Sequence, residues 1–154
     1  HFLQGAIFER QKNYEDAEKA FRRALDIEAN DPSVLNYLGY MLAENNVKLE
    51  EALKMIKRAV QLDPINGSYL DSLGWVYYRM DRMQLAEQYL KRALLFAAGD
   101  PTIHEHMGDL YVQTGRMIEA RAEYEKSIAL AETDEEREKV QKKLDNLRSG
   151  DKPN

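Results

Sequence analysis

The segment Leu73-Gly74-Trp75-Val76-Tyr77 is the strongest indication of the fold, because close variants of it recur at a fixed interval. Glycines stand at positions 5, 39, 74 and 108, separated by 34, 35 and 34 residues. Leu38-Gly39-Tyr40 and Met107-Gly108-Asp109-Leu110-Tyr111 carry the same local pattern. A constant period in this range is typical of stacked repeat proteins, in which each unit packs on its neighbours.

Each unit has the pattern of two helices joined by a tight turn, with apolar residues at helical spacing in both. The first helix carries the small residue, which is Gly5, Gly39, Gly74 or Gly108. The second carries Ala17, Ala52, Ala86 or Ala120. A glycine inside a helix costs about 1 kcal/mol relative to alanine, so four in register indicate closely approaching helices. One extra residue, near Asn46-Val47-Lys48, lengthens the turn of the second unit.

This pattern resembles the tetratricopeptide repeat (TPR). The second unit matches at Gly39, Ala52, Ile56, Ala59 and Pro64, and the third at Gly74, Tyr77, Ala86, Leu90 and Ala93. The resemblance implies an all-α, right-handed superhelical solenoid of antiparallel helix pairs. Its four repeats would span about 1–31, 32–66, 67–100 and 101–132. The first unit lacks its opening residues, and the fourth has Ser127 where alanine is usual.

A further helix is predicted after the fourth unit. Thr133-Asp134-Glu135-Glu136 is a capping box, which marks a helix start. Val140, Leu144 and Leu147 form a narrow apolar stripe within residues 134–148. We expect the segment 133–148 to cover the last hydrophobic face of the array, and residues 149–154 to be a frayed tail.

Composition excludes several classes of function. The net charge of -5 makes the chain a poor candidate for nucleic-acid binding, which needs cations to neutralise phosphates. No apolar run reaches membrane-spanning length, so direct membrane insertion is not expected. With no cysteine, disulfides and thiolate chemistry are excluded. The chain opens inside a repeat, so both a cytoplasmic location and a periplasmic or outer-membrane association through a missing N-terminus stay open.

Histidines offer the only hint of a metal site, and their spacing argues against it. His104 and His106 are two residues apart, so on a helix their side chains point about 200° apart. Zinc metalloprotease helices place two histidines four apart. We expect His104 to pack between helices, and we predict no metal, no cofactor and no enzymatic activity.

In the TPR family the first helix of each unit lines a concave groove. Carried over by position, the resemblance predicts a peptide-binding groove at Asn36, Tyr40, Glu44, Asp71, Trp75, Tyr78, Arg79, Glu105, Asp109 and Gln113, with Phe2, Ala6, Glu9 and Arg10 from the first unit. An exposed Trp75, Tyr78 and Arg79 would be typical of a binding hot spot. The carboxylates would make the groove mildly acidic. The expected ligand is a peptide or helix with an apolar or aromatic anchor and a nearby Lys or Arg.

Other interpretations stay open. Arg10, Glu44 and Arg79 share one family position and would pair across repeats, and Trp75 would stack against Tyr40. The cations of a carboxylate clamp for chaperone tails are missing from the corresponding positions. Besides a scaffold or adaptor with a protein ligand, the chain could be a fragment of a bacterial envelope assembly or export factor. A structural spacer, forming a homo-oligomer through exposed repeat ends, is the third alternative.

Overall fold

The computed structural model describes residues 13–148, which form eight α-helices and no strand within that range. The helices are α1 (Tyr14–Ile27), α2 (Pro32–Glu44), α3 (Leu49–Leu62), α4 (Gly67–Arg79), α5 (Met83–Phe96), α6 (Pro101–Gln113), α7 (Met117–Leu130) and α8 (Asp134–Arg148). The expectations for Gly5, Phe2, Ala6, Glu9, Arg10 and the tail 149–154 lie outside the described residues. The fold is the predicted all-α solenoid.

Local sequence signals set where the helices begin. Asp31 caps α2, with its Oδ1 accepting from the backbone N–H of Ser33 at 3.0 Å and of Val34 at 3.3 Å. Asp100 caps α6, with its Oδ1 accepting from the backbone N–H of Thr102 at 2.9 Å. In both helices a proline occupies the first turn, where its missing N–H needs no partner. The sequence signal for helix starts at these positions is therefore confirmed.

The register glycines let paired helices approach closely. A Cβ placed on Gly39 of α2 would lie 2.6 Å from Ile56 Cγ1 and 3.2 Å from the Ala52 carbonyl oxygen of α3. A Cβ on Gly74 of α4 would lie 3.1 Å from the carbonyl oxygen of Ala86 on α5. The 2.6 Å distance is too short for a side chain, and the two distances to carbonyl oxygens are shorter than most Cβ contacts in proteins. These positions therefore favour glycine, and the helix pairs pack as predicted.

The hydrophobic core is built around this close contact between paired helices. The large residues of the second helices are fully buried, namely Phe21, Ile56, Leu90 and Tyr124. Tyr77 stacks on Tyr89 of α5 with ring centroids 5.6 Å apart, so it faces the helix pair and not the groove, as expected. The Ser127 hydroxyl, in the usual place of an alanine, donates to the Pro101 carbonyl oxygen at 2.8 Å.

The extra residue of the second unit changes the turn between α2 and α3. The shorter turns contain one residue with positive φ, Asp81 at 61° and Gly115 at 78°. The longer turn contains two, Asn46 at 55° and Lys48 at 50°. Asn tolerates this left-handed region better than Lys does. The insertion is thus absorbed inside the turn, and the helix pair keeps the register of its neighbours.

Cations at the start of the second helices tie successive units together. Lys48 reaches back to Glu18 at 2.8 Å, Arg82 to Glu50 at 3.7 Å, and Arg116 to Glu87 through both guanidinium nitrogens. Arg116 lowers the pKa of Glu87 to about 2, against a smaller opposing effect of burial. These pairs run along the outer layer of helices and hold the stacking order.

Candidate functional site

The inner helices α2, α4, α6 and α8 enclose a concave cleft of about 630 Å³. Eight of the ten predicted groove residues line it: Tyr40, Glu44, Trp75, Tyr78, Arg79, Glu105, Asp109 and Gln113. Asn36 and Asp71 are not part of its lining and are buried. The TPR register therefore brings side chains from three repeats to one cavity.

Trp75 forms the floor of the cleft, which corrects the expectation that it is exposed. Only 6% of the residue is accessible. Its indole lies between Tyr78, at a centroid distance of 4.6 Å, and His106, at 4.0 Å, in nearly parallel stacks. Its Nε1–H donates to Glu44 Oε1 at 2.5 Å. Trp75 is buried because His106, from the next unit, covers its second face.

His106 is the residue that links the third and fourth units at this floor. Its Nδ1 lies 2.8 Å from Asp71 Oδ1, and both side chains are buried. Burial lowers the pKa of His106, but the attraction of Asp71 and its hydrogen bond outweigh burial, and the net pKa is raised. The Tyr40 ring of α2 lies against the same imidazole, with centroids 6.2 Å apart. Residues from three units thus meet at one histidine.

Arg79 contacts backbone atoms of the neighbouring unit. Its Nε and Nη2 donate to the carbonyl oxygens of Ala43 and Glu44, each at 3.1 Å, at the end of α2. A cation at the C-terminus of a helix satisfies carbonyl groups that have no partner within the helix. Its guanidinium carbon lies 6.0 Å from the Trp75 ring. Arg79 therefore fixes α4 to α2, and the proposed cross-repeat link to Glu44 runs through the backbone carbonyl oxygen.

Helix α8 places two cations in the cleft, which the expectation of a mildly acidic groove did not include. Lys143 Nζ lies 2.8 Å from Glu105 Oε2 and 2.9 Å from Asp109 Oδ2, whereas the exposed Lys139 is 3.5 Å from Glu105. Lys139 and Lys143 follow Glu105 and Asp109 by 34 residues each. Helix α8 thus continues the register of the inner helices and neutralises the carboxylates of α6.

The ion cluster formed by Lys143, Glu105 and Asp109 is largely shielded from solvent. Burial raises the pKa of Glu105, but Lys143 and Lys139 outweigh it and hold the net pKa below the ordinary value. Burial lowers the pKa of Lys143, and the attraction of Asp109 and Glu105 reverses this and raises it. Asp109 also accepts a hydrogen bond from the buried Tyr124 hydroxyl at 2.6 Å. The cluster joins α6, α7 and α8 and closes one end of the cleft.

The two histidines of α6 contact different parts of the fold. The ring nitrogens of His104 face Glu123 Oε2 at 3.1 Å and the Ala98 carbonyl oxygen at 2.7 Å. His106 faces Asp71, as described above. The opposite orientation predicted from their spacing is confirmed, and His104 packs between helices as expected. Within residues 13–148 no group of three or more side chains could hold a metal ion.

Position-by-position transfer from the family missed six residues that line the cleft: Asn46, Asp81, Met83, His106, Lys139 and Lys143. The two lysines could have been predicted from the sequence, because they follow Glu105 and Asp109 by 34 residues and so extend the repeat into α8. His106 was not among the predicted groove residues, although it lies at a position that corresponds to the carboxylate clamp of the family. Over residues 13–148, no helix has the length and apolar character needed to cross a membrane.

Family profiles match most of the chain. A tetratricopeptide repeat profile matches residues 1–31, a second matches residues 41–102, and a tetratricopeptide repeat-like domain profile matches residues 96–149. The chain belongs to the tetratricopeptide repeat family. Members of this family bind other proteins, and the fold is usually non-catalytic.

Two curated relatives come from Pseudomonas aeruginosa. The TPR repeat-containing protein PA4667 is 32% identical over 108 residues, which are 70% of this chain and 18% of that protein. The type IV pilus assembly protein PilF is 26% identical over 127 residues, which are 81% of this chain and 50% of that protein. The chain therefore spans half or less of the length of these relatives.

A solved structure shows the same fold. PilW, described as a widely conserved type IV pilus biogenesis factor, superposes with a TM-score of 0.78 over 96% of this chain and 68% of that one. The sequence identity is 20%, so this likeness shows the fold alone.

Proposed function

We propose that this chain is a non-catalytic interaction module that holds a peptide or helix segment of a protein partner in the cleft between α2 and α8. The observation that carries the proposal is the open cavity of about 630 Å³, which is lined by side chains from three repeats and α8. A cavity of this size and lining suits a few residues of a partner chain. No set of groups in the described cleft has the arrangement of a nucleophile with its base.

The lining defines what the partner presents. Tyr40 and Tyr78 are half-buried, so each offers part of a ring to an apolar or aromatic side chain. Glu44 and Asp81 are exposed at the rim near the turns, and the exposed Lys139 lies at the rim formed by α8. A partner segment with an apolar or aromatic anchor between a basic and an acidic residue fits this order. The basic residue would lie toward Glu44.

The test uses peptides selected on the protein from a random displayed library. Selected peptides should lose affinity for Lys139→Glu and Gln113→Ala, since both residues are exposed in the cleft. The matched control is Lys57→Glu, a charge reversal at an exposed position of α3 outside the cleft lining. Peptides that bind the two charge-reversed proteins equally well would place the site on another face and refute the proposal.

A second candidate is a role in assembly of the bacterial cell envelope. The observation that favours it is the similarity to PilF, a protein named for type IV pilus assembly, across 81% of this chain. Fractionation of the full-length protein in its native cell would test this idea. Recovery with the envelope is expected, and recovery only in the cytosol would contradict it.

Self-association is the remaining alternative, with repeat ends stacking between copies. Sedimentation velocity over a hundredfold range of concentration distinguishes it from the interaction module. A concentration-dependent increase in mass would support the spacer role. A constant monomer mass would exclude it and would leave the cleft proposal unaffected.

A further inference from the structure

The floor of the cleft contains a buried ionisable pair that peptide binding does not require. His106 of α6 and Asp71 of α4 are 4% and 6% accessible, and the imidazole Nδ1 lies 2.8 Å from Asp71 Oδ1. The same imidazole lies flat against Trp75, at a centroid distance of 4.0 Å and an interplanar angle of 17°. Any change in the charge of this ring therefore acts directly on the contact between the third and fourth units.

The groups around His106 leave an excess of buried negative charge. Ionisable and aromatic side chains face this region from every element packed around it: Tyr40 of α2, Asp71, Trp75 and Arg79 of α4, Glu105 and Asp109 of α6, Tyr124 of α7, and Lys139 and Lys143 of α8. Three of these are buried carboxylates. Lys143 is the one largely buried cation among the described residues of this cluster, and it pairs with two of the three.

We propose that the floor of the cleft is a pH-responsive contact between α4 and α6, which is tight while His106 carries a proton and loosens when His106 loses it. The protonated ring supplies the positive charge that Asp71 lacks from any other close cation in the described residues. The neutral imidazole keeps a hydrogen bond to Asp71, but the buried negative charge of the Asp71 carboxylate is then left without compensation. This inference is independent of whether the cleft binds a peptide.

The direction of the pH dependence follows from linkage. The net effect of Asp71, Asp109 and Glu105 raises the pKa of His106 above its ordinary value of 6.5. The folded state then binds the proton more tightly than the unfolded chain does. The stabilisation from His106 is complete below pH 6.5 and is lost as the pH rises through the higher pKa of the folded state.

Trp75 reports on this site directly, because it is the only tryptophan in the sequence. A protonated imidazole stacked on an indole quenches its fluorescence, whereas a neutral imidazole does so much less. The wild-type protein, titrated from about pH 5 to about pH 9, should show increasing fluorescence with a midpoint above 6.5. The urea concentration at half-unfolding should fall over the same pH range.

Three variants distinguish His106 from other titrating groups. In His106→Gln the fluorescence transition should disappear. In Asp71→Asn, which keeps the shape of the side chain, the midpoint should fall below that of the wild-type protein, because the largest attraction that raises the pKa of His106 is removed. His104→Gln is the matched control, because His104 contacts Glu123 and Ala98, and it should keep the wild-type transition.

A transition that survives in His106→Gln, or an unchanged midpoint in Asp71→Asn, would overturn the proposal. The absence of any transition in the wild-type protein over this range would also overturn it. If His106→Gln does not fold, the midpoint in Asp71→Asn, measured against His104→Gln, still decides the question.

Discussion

Replacing Lys143 by methionine should destabilise the protein more than any other single replacement of a charged residue of α8 by a neutral one. The ammonium group contacts Glu105 at 2.8 Å and both oxygens of Asp109 at 3.0 and 2.9 Å. Its side chain is 16% accessible, and those of Glu105 and Asp109 are 10% and 9%. Breaking a buried ion pair by removing one partner costs roughly 3–5 kcal/mol. Because some solvent reaches Lys143, we expect the lower end, about 3 kcal/mol.

Lys139→Met provides the matched control on the same helix. Lys139 also faces Glu105, but at 3.5 Å and with 66% of its side chain accessible. An exposed pair of this kind contributes about 0–1 kcal/mol. Urea unfolding at pH 7, followed by circular dichroism, measures the loss in the free energy of unfolding of each variant. Hydrogen exchange of the backbone amides of α8 shows whether that helix opens first. Equal losses in the two variants would refute the argument that burial of the cluster makes Lys143 important.

The pH dependence gives a second check on the same cluster. The pKa of Glu105 is held below its ordinary value of 4.5 in the folded protein, because the attraction of Lys143 and Lys139 outweighs burial. Its contribution to stability is therefore present above pH 4.5 and is lost as the pH falls through the lower folded value. The stability difference between wild type and Lys143→Met should shrink as the pH falls below about 4.5. A difference that stays constant down to acid unfolding would contradict this origin.

Two further predictions concern packing. Gly39→Ala should lower the free energy of unfolding, because the new methyl group would overlap Ile56. We expect the overlap to cost about 1–3 kcal/mol, partly offset by a gain of up to about 1 kcal/mol in helix propensity. In Gly99→Ala the new Cβ would meet nothing within 4 Å, so the free energy of unfolding should change by less than about 0.5 kcal/mol. A loss of stability in Gly99→Ala as large as that in Gly39→Ala would contradict the steric argument. Ser127→Ala should cost about 1 kcal/mol by removing the hydrogen bond to the Pro101 carbonyl oxygen. Thermal unfolding measures this loss, and a neutral result would show that the Ser127 hydroxyl is dispensable.

Much of the fold was predictable from local patterns. The register glycines, the aspartate–proline helix starts and the apolar spacing each depend on contacts within one unit or between adjacent helices, and the structure confirms them. The start of α8 at Asp134 also followed from a local signal, since the Thr133 hydroxyl accepts from the backbone N–H of Glu136 at 3.1 Å. Such short-range rules operate on neighbouring residues and can be read without coordinates.

The properties of the cleft were harder to predict. The register indicated which side chains share the concave surface, but accessibility depends on residues from other units. Trp75 looked exposed on its own helix, and it is covered by His106, 31 residues further along the chain. Glu105 and Asp109 looked like free anions, and Lys143 pairs with both.

A 34-residue period and helical geometry leave few other arrangements, so the repeat, the helix pairs and the inward face of each helix could be predicted from the order of residues. The packing of successive units against one another sets which charges in the cleft are compensated and which aromatic rings remain open. Burial and Coulomb attraction act between side chains that are close in space, whatever their separation along the chain. In a solenoid those neighbours belong to the adjacent units.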